Sequence, residues 1–161
     1  MVAIINSLAR LLGEISRVNQ SSQLVPFVNT DVANMAAGMV VVADPATDGG
    51  ALLPSAAGDN GHMFVVRELR QGGVDGSAPI LPAQFGTGMK IGFVMAKCVN
   101  GSPAPQAPVY YRYALGDTGS ATRAVGTLEA APIANEVIEF PGATWNGLAD
   151  ANGLVEIRIN A

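Results

Sequence analysis

Gly153-Leu154-Val155-Glu156-Ile157-Arg158-Ile159-Asn160 alternates apolar and polar residues with a period of two. Successive side chains of a strand point to opposite faces, so Val155, Ile157 and Ile159 take one face and Glu156, Arg158 and Asn160 the other, as in a strand with one wet face. Working back along the chain, Val137 to Phe140, Val109 to Leu115, Lys90 to Val99, His62 to Leu69 and Gly38 to Ala43 are further short runs rich in Val, Ile, Phe and Tyr. Turn clusters separate them. Asp48-Gly49-Gly50, Gly58 to Gly61, Gly72 to Gly76, Asn100 to Pro103 and Gly116 to Gly119 supply residues that accept positive φ or fix it near about −65°. Short strands punctuated in this way predict a mainly β fold, a single β-sandwich or β-barrel.

The first 23 residues read differently. Ile4, Ile5, Leu8, Leu11, Leu12, Ile15 and Val18 recur at helical spacing, which predicts one amphipathic helix over 4–18 with Arg10, Glu14 and Arg17 opposite the stripe. A helix this short is marginal alone in water, so it must dock, either on its own domain or as an arm on a neighbouring subunit. The expected organisation is a helical arm, 1–23, and a β-rich domain, 24–161. Two long irregular stretches, Ala43 to Asn60 and Gly116 to Glu136, have the length of functional loops.

Composition narrows the function classes. The chain has 161 residues, a length for one domain, and only 14 % of them are charged while 49 % are apolar. Its nine Lys and Arg residues are scattered under a net charge of −4, which argues against a nucleic-acid partner, since a phosphate-binding surface needs concentrated positive charge. No uninterrupted apolar run approaches the ~20 residues that cross a bilayer, so no membrane partner is expected. Ile4 to Val18 makes a poor signal peptide, which places synthesis in a cytoplasm. Little charge and much apolar surface suggest a protein that other molecules cover.

The chemistry-bearing residues do not assemble into a motif. Cys98 is the lone cysteine and reads as a small buried apolar residue; His62 is the lone histidine and reads as a solvated residue at a strand entry. Neither has the partners of a metal site or a triad, so no cofactor, metal or catalytic residue is assigned. The glycines of Gly86-Thr87-Gly88-Met89-Lys90-Ile91-Gly92 have the wrong spacing for a dinucleotide loop and read as a turn feeding a strand. Asp44, Asp48, Glu129, Glu136 and Glu139 are loosely spaced carboxylates. Trp145 either closes a core or offers a sugar platform. Tyr111 and Tyr113 share a face with Val109, opposite Tyr110 and Arg112, which suits a core edge or an interface.

Pro108-Val109-Tyr110-Tyr111-Arg112, the glycine loop Gly116 to Gly119, the irregular segment Arg123 to Asn135, Phe140 to Trp145 and Gly153 to Asn160 together resemble the structural cement, or capsid decoration, proteins of tailed bacteriophages. The resemblance covers the last third of the chain, and its motifs are architectural. It implies a small β-rich protein, some relatives having a tulip-like β arrangement, with no enzymatic role. Such a protein would sit on the outer surface of the virion capsid, clamp neighbouring major capsid protein subunits, and associate with itself as a trimer or a dimer. The expected contact residues are Ile4, Ile5, Leu8, Leu11, Leu12 and Ile15 of the stripe, Val25 and Phe27 after it, and Tyr110, Arg112 and Arg123. A carbohydrate-binding or adhesion module, with Trp145 and the tyrosine strand as stacking surfaces, is the alternative.

Overall fold

A computed structural model describes residues 13, 15–17, 22–67 and 78–160 of the chain, and among them it contains ten β-strands and no helix. The strands are β1 Ile15–Arg17, β2 Gln23–Asn29, β3 Val40–Ala43, β4 Gly50–Leu52, β5 Met63–Val65, β6 Phe85–Lys97, β7 Pro108–Arg112, β8 Leu128–Glu129, β9 Val137–Trp145 and β10 Leu154–Asn160. The mainly β fold read from the sequence is the fold observed.

Five strands close on themselves. β2 pairs β4 in parallel; β4 pairs β3, β3 pairs β5, β5 pairs β6 and β6 returns to β2, all antiparallel. The ring is a small barrel, and closure leaves its strands without an open edge. Phe27, Val41, Ala51, Met63 and Val65 fill it, with Met35 and Ile80 from the connecting segments. So narrow a barrel has no room for side chains from its fifth wall. A Cβ on Gly88 would stand 2.8 Å from that of Met63, and one on Gly86 would stand 2.7 Å from the Phe27 ring. The two glycines therefore lie inside β6, where absent side chains let neighbouring residues in, and the turn expected there is corrected to strand.

β6 then leaves the barrel and enters a second sheet. Its C-terminal half pairs β10, β10 pairs β9, β9 pairs β7 and β7 pairs β8, all antiparallel, while β1 lies against the other side of β6. The register slips between Gln23 and Leu24, which face Ile91 and Met89. A slip of this kind turns side chains to the other face. Before it Gly86 and Gly88 line the barrel, and after it Val94 and Ala96 enter the larger core. That core joins Val40, Phe64 and Met89 on the outside of the barrel to Val109, Tyr111, Phe140, Trp145, Val155, Ile157 and Ile159 of the sheet. The alternation read for β10 is observed: Val155, Ile157 and Ile159 are at most 1 % exposed.

Other local expectations change. Ile15–Arg17 is a strand, not the end of a helix: Ile15 pairs with Val94 and packs on the larger core, so β6 supplies the hydrogen bonds that a lone helix would have made internally. The remaining positions of that expectation, 4–12, 14 and 18, lie outside the described residues. β9 continues as one strand through Pro141-Gly142, with Gly142 at φ 71° and a register shift against β7. β4 and β8 lie in the two stretches read as irregular, each only two or three residues long and held by pairing with β2 and β3 and with β7.

Candidate functional site

Arg112 lies on the face of β7 that points away from the larger core, as alternation requires, yet that face is not wet. The side chains of Arg112 and Glu129 are fully buried and that of Glu136 is nearly so. β8 puts Glu129 opposite Tyr110, within reach of Arg112, whose Nε and Nη2 donate to Glu129 Oε1 at 2.9 and 2.7 Å. Nη1 donates to Glu136 Oε2 at 2.6 Å and to the carbonyls of Ala114 and Leu115, while Nη2 reaches Thr118 Oγ1 at 3.0 Å. Arg123 and Asn100 complete the shell on Glu129 Oε2, at 3.0 and 2.9 Å. The segment after β7 is thus folded over the sheet and fastened to it from below. Gly116 permits this, because a Cβ there would overlap the Glu136 carboxylate.

Two arginines face two glutamates, so the formal charges cancel inside the cluster. The Thr118 hydroxyl, then Arg112, donate to Glu136 and hold its carboxyl at about 2, far below the ordinary 4.5. Burial opposes the Arg112 charge, but the hydrogen bonds it donates to Glu136 and Glu129 outweigh it and hold the guanidinium's proton more firmly. The arrangement is a clasp. It fixes the fold of the loop from 113 to 136, and the loosely spaced Glu129 and Glu136 of the sequence are its anchors. An arginine at the end of an otherwise amphipathic strand was the available signal, but its acidic partners lie 17 and 24 residues away with no spacing rule to connect them.

The barrel treats its outer wall in the opposite way. Leu24, Pro26 and Val28 of β2 share a face with Phe85 and Thr87 of β6, since Val28 is opposite Phe85 and Pro26 opposite Thr87. Phe85 is 76 % exposed and Leu24 45 %, and Leu81 in the turn before β6 is 43 % exposed. An apolar stripe crossing two adjacent strands is unusual on a surface that meets only water.

The expected contact residues divide on this geometry. Phe27 is 2 % exposed inside the barrel, and Arg112 is enclosed by its clasp, so the contacts these two make in this chain are internal. Arg123 is engaged with Glu129. Val25 is half-buried against the barrel core, Ile15 packs on the larger core, and Tyr110 is half-buried opposite Glu129 and Glu139. Ile4, Ile5, Leu8, Leu11 and Leu12 lie outside the described residues. Trp145 is fully buried, which leaves the carbohydrate alternative without its stacking platform.

His62 is not the solvated residue expected. Its Nε2 lies 2.7 Å from the Tyr111 hydroxyl, and its ring packs with Tyr111 and Phe140. Burial lowers the His62 pKa and raises that of Tyr111 to about 12, so both are neutral near pH 7. Cys98 is half-buried, donates to the Asn100 carbonyl at 3.1 Å, and is pushed toward the unreactive thiol by burial. Among the described residues no group of three or more His, Cys, Asp or Glu side chains is placed to hold a metal ion.

Among the described residues a barrel and a sheet are fused through one strand, with an internal clasp on the sheet and an exposed apolar wall on the barrel. In fold this protein matches a chain of a solved structure, "The capsid of Myoviridae Phage XM1", with a TM-score of 0.71 over 98 % of this chain and 95 % of that one, at 17 % identity. No curated protein matches the sequence. The family model of the XM1 gp53 minor capsid protein matches residues 3–159, and the chain belongs to that family of phage capsid-associated proteins. The likeness to phage head proteins read from the C-terminal third is borne out at that level.

Proposed function

We propose that this protein is a non-enzymatic decoration, or cement, protein that binds the outer surface of a phage head and clamps neighbouring major capsid protein subunits. The observation that carries the reading is the bare apolar wall of the barrel, Leu24, Pro26, Val28 and Phe85, on a chain whose family is capsid-associated. Aromatic residues set among aliphatic neighbours are the usual anchors of an interface. The wall is rigid because the glycine-lined barrel beneath it is full, so little ordering entropy is lost on docking. Self-association as a trimer multiplies a modest contact into tight attachment, since several walls engage one lattice at once. Tyr110, half-exposed at the sheet face, is a further contact.

The test is co-sedimentation of the purified protein with expanded phage heads that lack it. Saturable binding approaching one copy per capsid subunit, with heads more resistant to heat, is the expected result. Phe85→Ser should leave the fold intact and weaken binding by at least tenfold, the equivalent of about 1.4 kcal/mol. Absence of binding to any cognate head by the native chain would sink the reading.

A further inference from the structure

The chain's single histidine joins the two halves of the molecule. His62 leads into β5 of the barrel, and its Nε2 lies 2.7 Å from the hydroxyl of Tyr111 on β7 of the second sheet. Its ring also packs on Phe140 of β9, with centroids 6.1 Å apart. Gly61, at φ 68°, sets the histidine in place, since a Cβ there would stand 2.6 Å from that of Ala43. The Ala43 N–H donates to the Asn60 carbonyl at 3.1 Å, which fastens the segment before β5 to the end of β3.

Hydrogen-bond accounting gives the His62 contact a direction. Tyr111 is 1 % exposed, and among the described residues the hydrogen-bond partner of its hydroxyl is His62. A buried hydroxyl hydrogen needs an acceptor, so Tyr111 donates to Nε2 and the neutral imidazole carries its proton on Nδ1. A second proton on the ring would turn Nε2 into a donor and leave the Tyr111 hydrogen without an acceptor, beside a half-buried cation. The groups around the pair offset this little. Phe140 from β9 is apolar, and Tyr111 and Tyr113 bring phenols. Asp59, from the turn before β5, favours the cation, but its Oδ2 already accepts from the N–H groups of Ser55 and Ala56 at 2.7 and 2.9 Å. Burial outweighs Asp59 and favours the neutral ring.

We propose that the His62–Tyr111 pair is an acid-released latch that holds the segment 55–62 of the barrel against the second sheet. It is closed while the imidazole is neutral. In the open arrangement the ring is solvated and takes up a proton more readily, so the latch loosens as pH falls below the ordinary histidine value of 6.5. The Glu136 carboxyl, lowered from 4.5 to about 2, responds in a separate and more acidic window. The latch belongs to the isolated chain and stands or falls independently of the capsid reading.

The full-length, isotopically labelled protein tests it by nuclear magnetic resonance, because one histidine gives one set of imidazole signals. Exchange of the Ala43 amide, normalised to its intrinsic rate at each pH, should be about fivefold faster near pH 5 than near pH 7.5, while β10 amides keep their protection. His62→Phe retains a ring but cannot take up a proton, so it should give Ala43 one level of protection at both pH values. Tyr111→Phe should lower that protection already near pH 7.5. Equal protection of Ala43 at both pH values in the native chain overturns the proposal, as does an imidazole that titrates at its ordinary value. A pH response that persists in His62→Phe also overturns it, and so does a parallel loss across β10, which is global unfolding rather than the release of one segment.

Discussion

The barrel and the sheet share β6 and draw on the same Val- and Ile-rich strands, yet they finish their outer faces in opposite ways. Over β7 and β8 the chain folds back on itself and seals the outer face with a neutral cluster of two arginines and two glutamates. Over β2 and β6 nothing in the described chain covers Leu24 and Phe85. The charges that would ordinarily make a surface soluble are used internally on the sheet side, and apolar residues that would ordinarily be internal are displayed on the barrel side. The difference teaches where a partner can act: the clasped face has already satisfied its groups, whereas burying the bare wall gains about 25 cal/mol for each Å² of apolar surface removed from water.

Breaking the clasp should have the largest effect. Arg112→Met strips the Glu136 carboxylate of its cation and leaves Glu129 with Arg123 alone, at a cost of about 3–5 kcal/mol by urea denaturation. Replacing Arg112, Glu129 and Glu136 together with apolar residues of similar volume should recover most of that loss, which would separate the unpaired charge from the packing. The clasp also sets an acid limit. Glu136 has its carboxyl lowered from 4.5 to about 2, so its contribution is present above pH 4.5 and is lost as pH falls through 2. Glu136→Gln should flatten the stability profile between those values, and an unchanged acid slope would count against the assignment.

The barrel side is probed by filling it. Gly88→Val places side-chain atoms against Met63 and should cost about 1–3 kcal/mol, read as a lower thermal midpoint. A smaller effect belongs to the strut between the halves: Tyr111→Phe removes the hydroxyl paired with His62 and should cost about 1 kcal/mol. Smallest of all is the effect of Phe85→Ser on folding, within about 0.5 kcal/mol, since the ring is already in water. Its large effect on attachment to heads would sharpen the contrast between the two faces, and a large loss of stability would erase it.

Much of this was legible residue by residue. The alternation of Gly153 to Asn160 located β10 and its buried face, the Val- and Tyr-rich runs located β3, β6, β7 and the start of β9, and Trp145 is the core residue one reading made it. Local pattern misled where tertiary pairing outweighed it. Ile15 belongs to a helical stripe in the sequence, yet β6 takes its backbone into a sheet. The internal partners of Phe27 and Arg112 lie far away in the sequence and left no local signal.

The sequence by itself determined the fold class, because a period of two and the turn residues act over a few neighbours and need no distant partner. It also determined the poverty of charge that leaves apolar surface for others. Only the tertiary structure decided that five strands close into a barrel, that two glycines make room for Phe27 and Met63, and that Arg112 meets Glu129 and Glu136 beneath a loop. Those outcomes depend on contacts between residues far apart in the chain, whose energies exist only once the backbone has brought them together, and from them follows which face is sealed and which is left to bind.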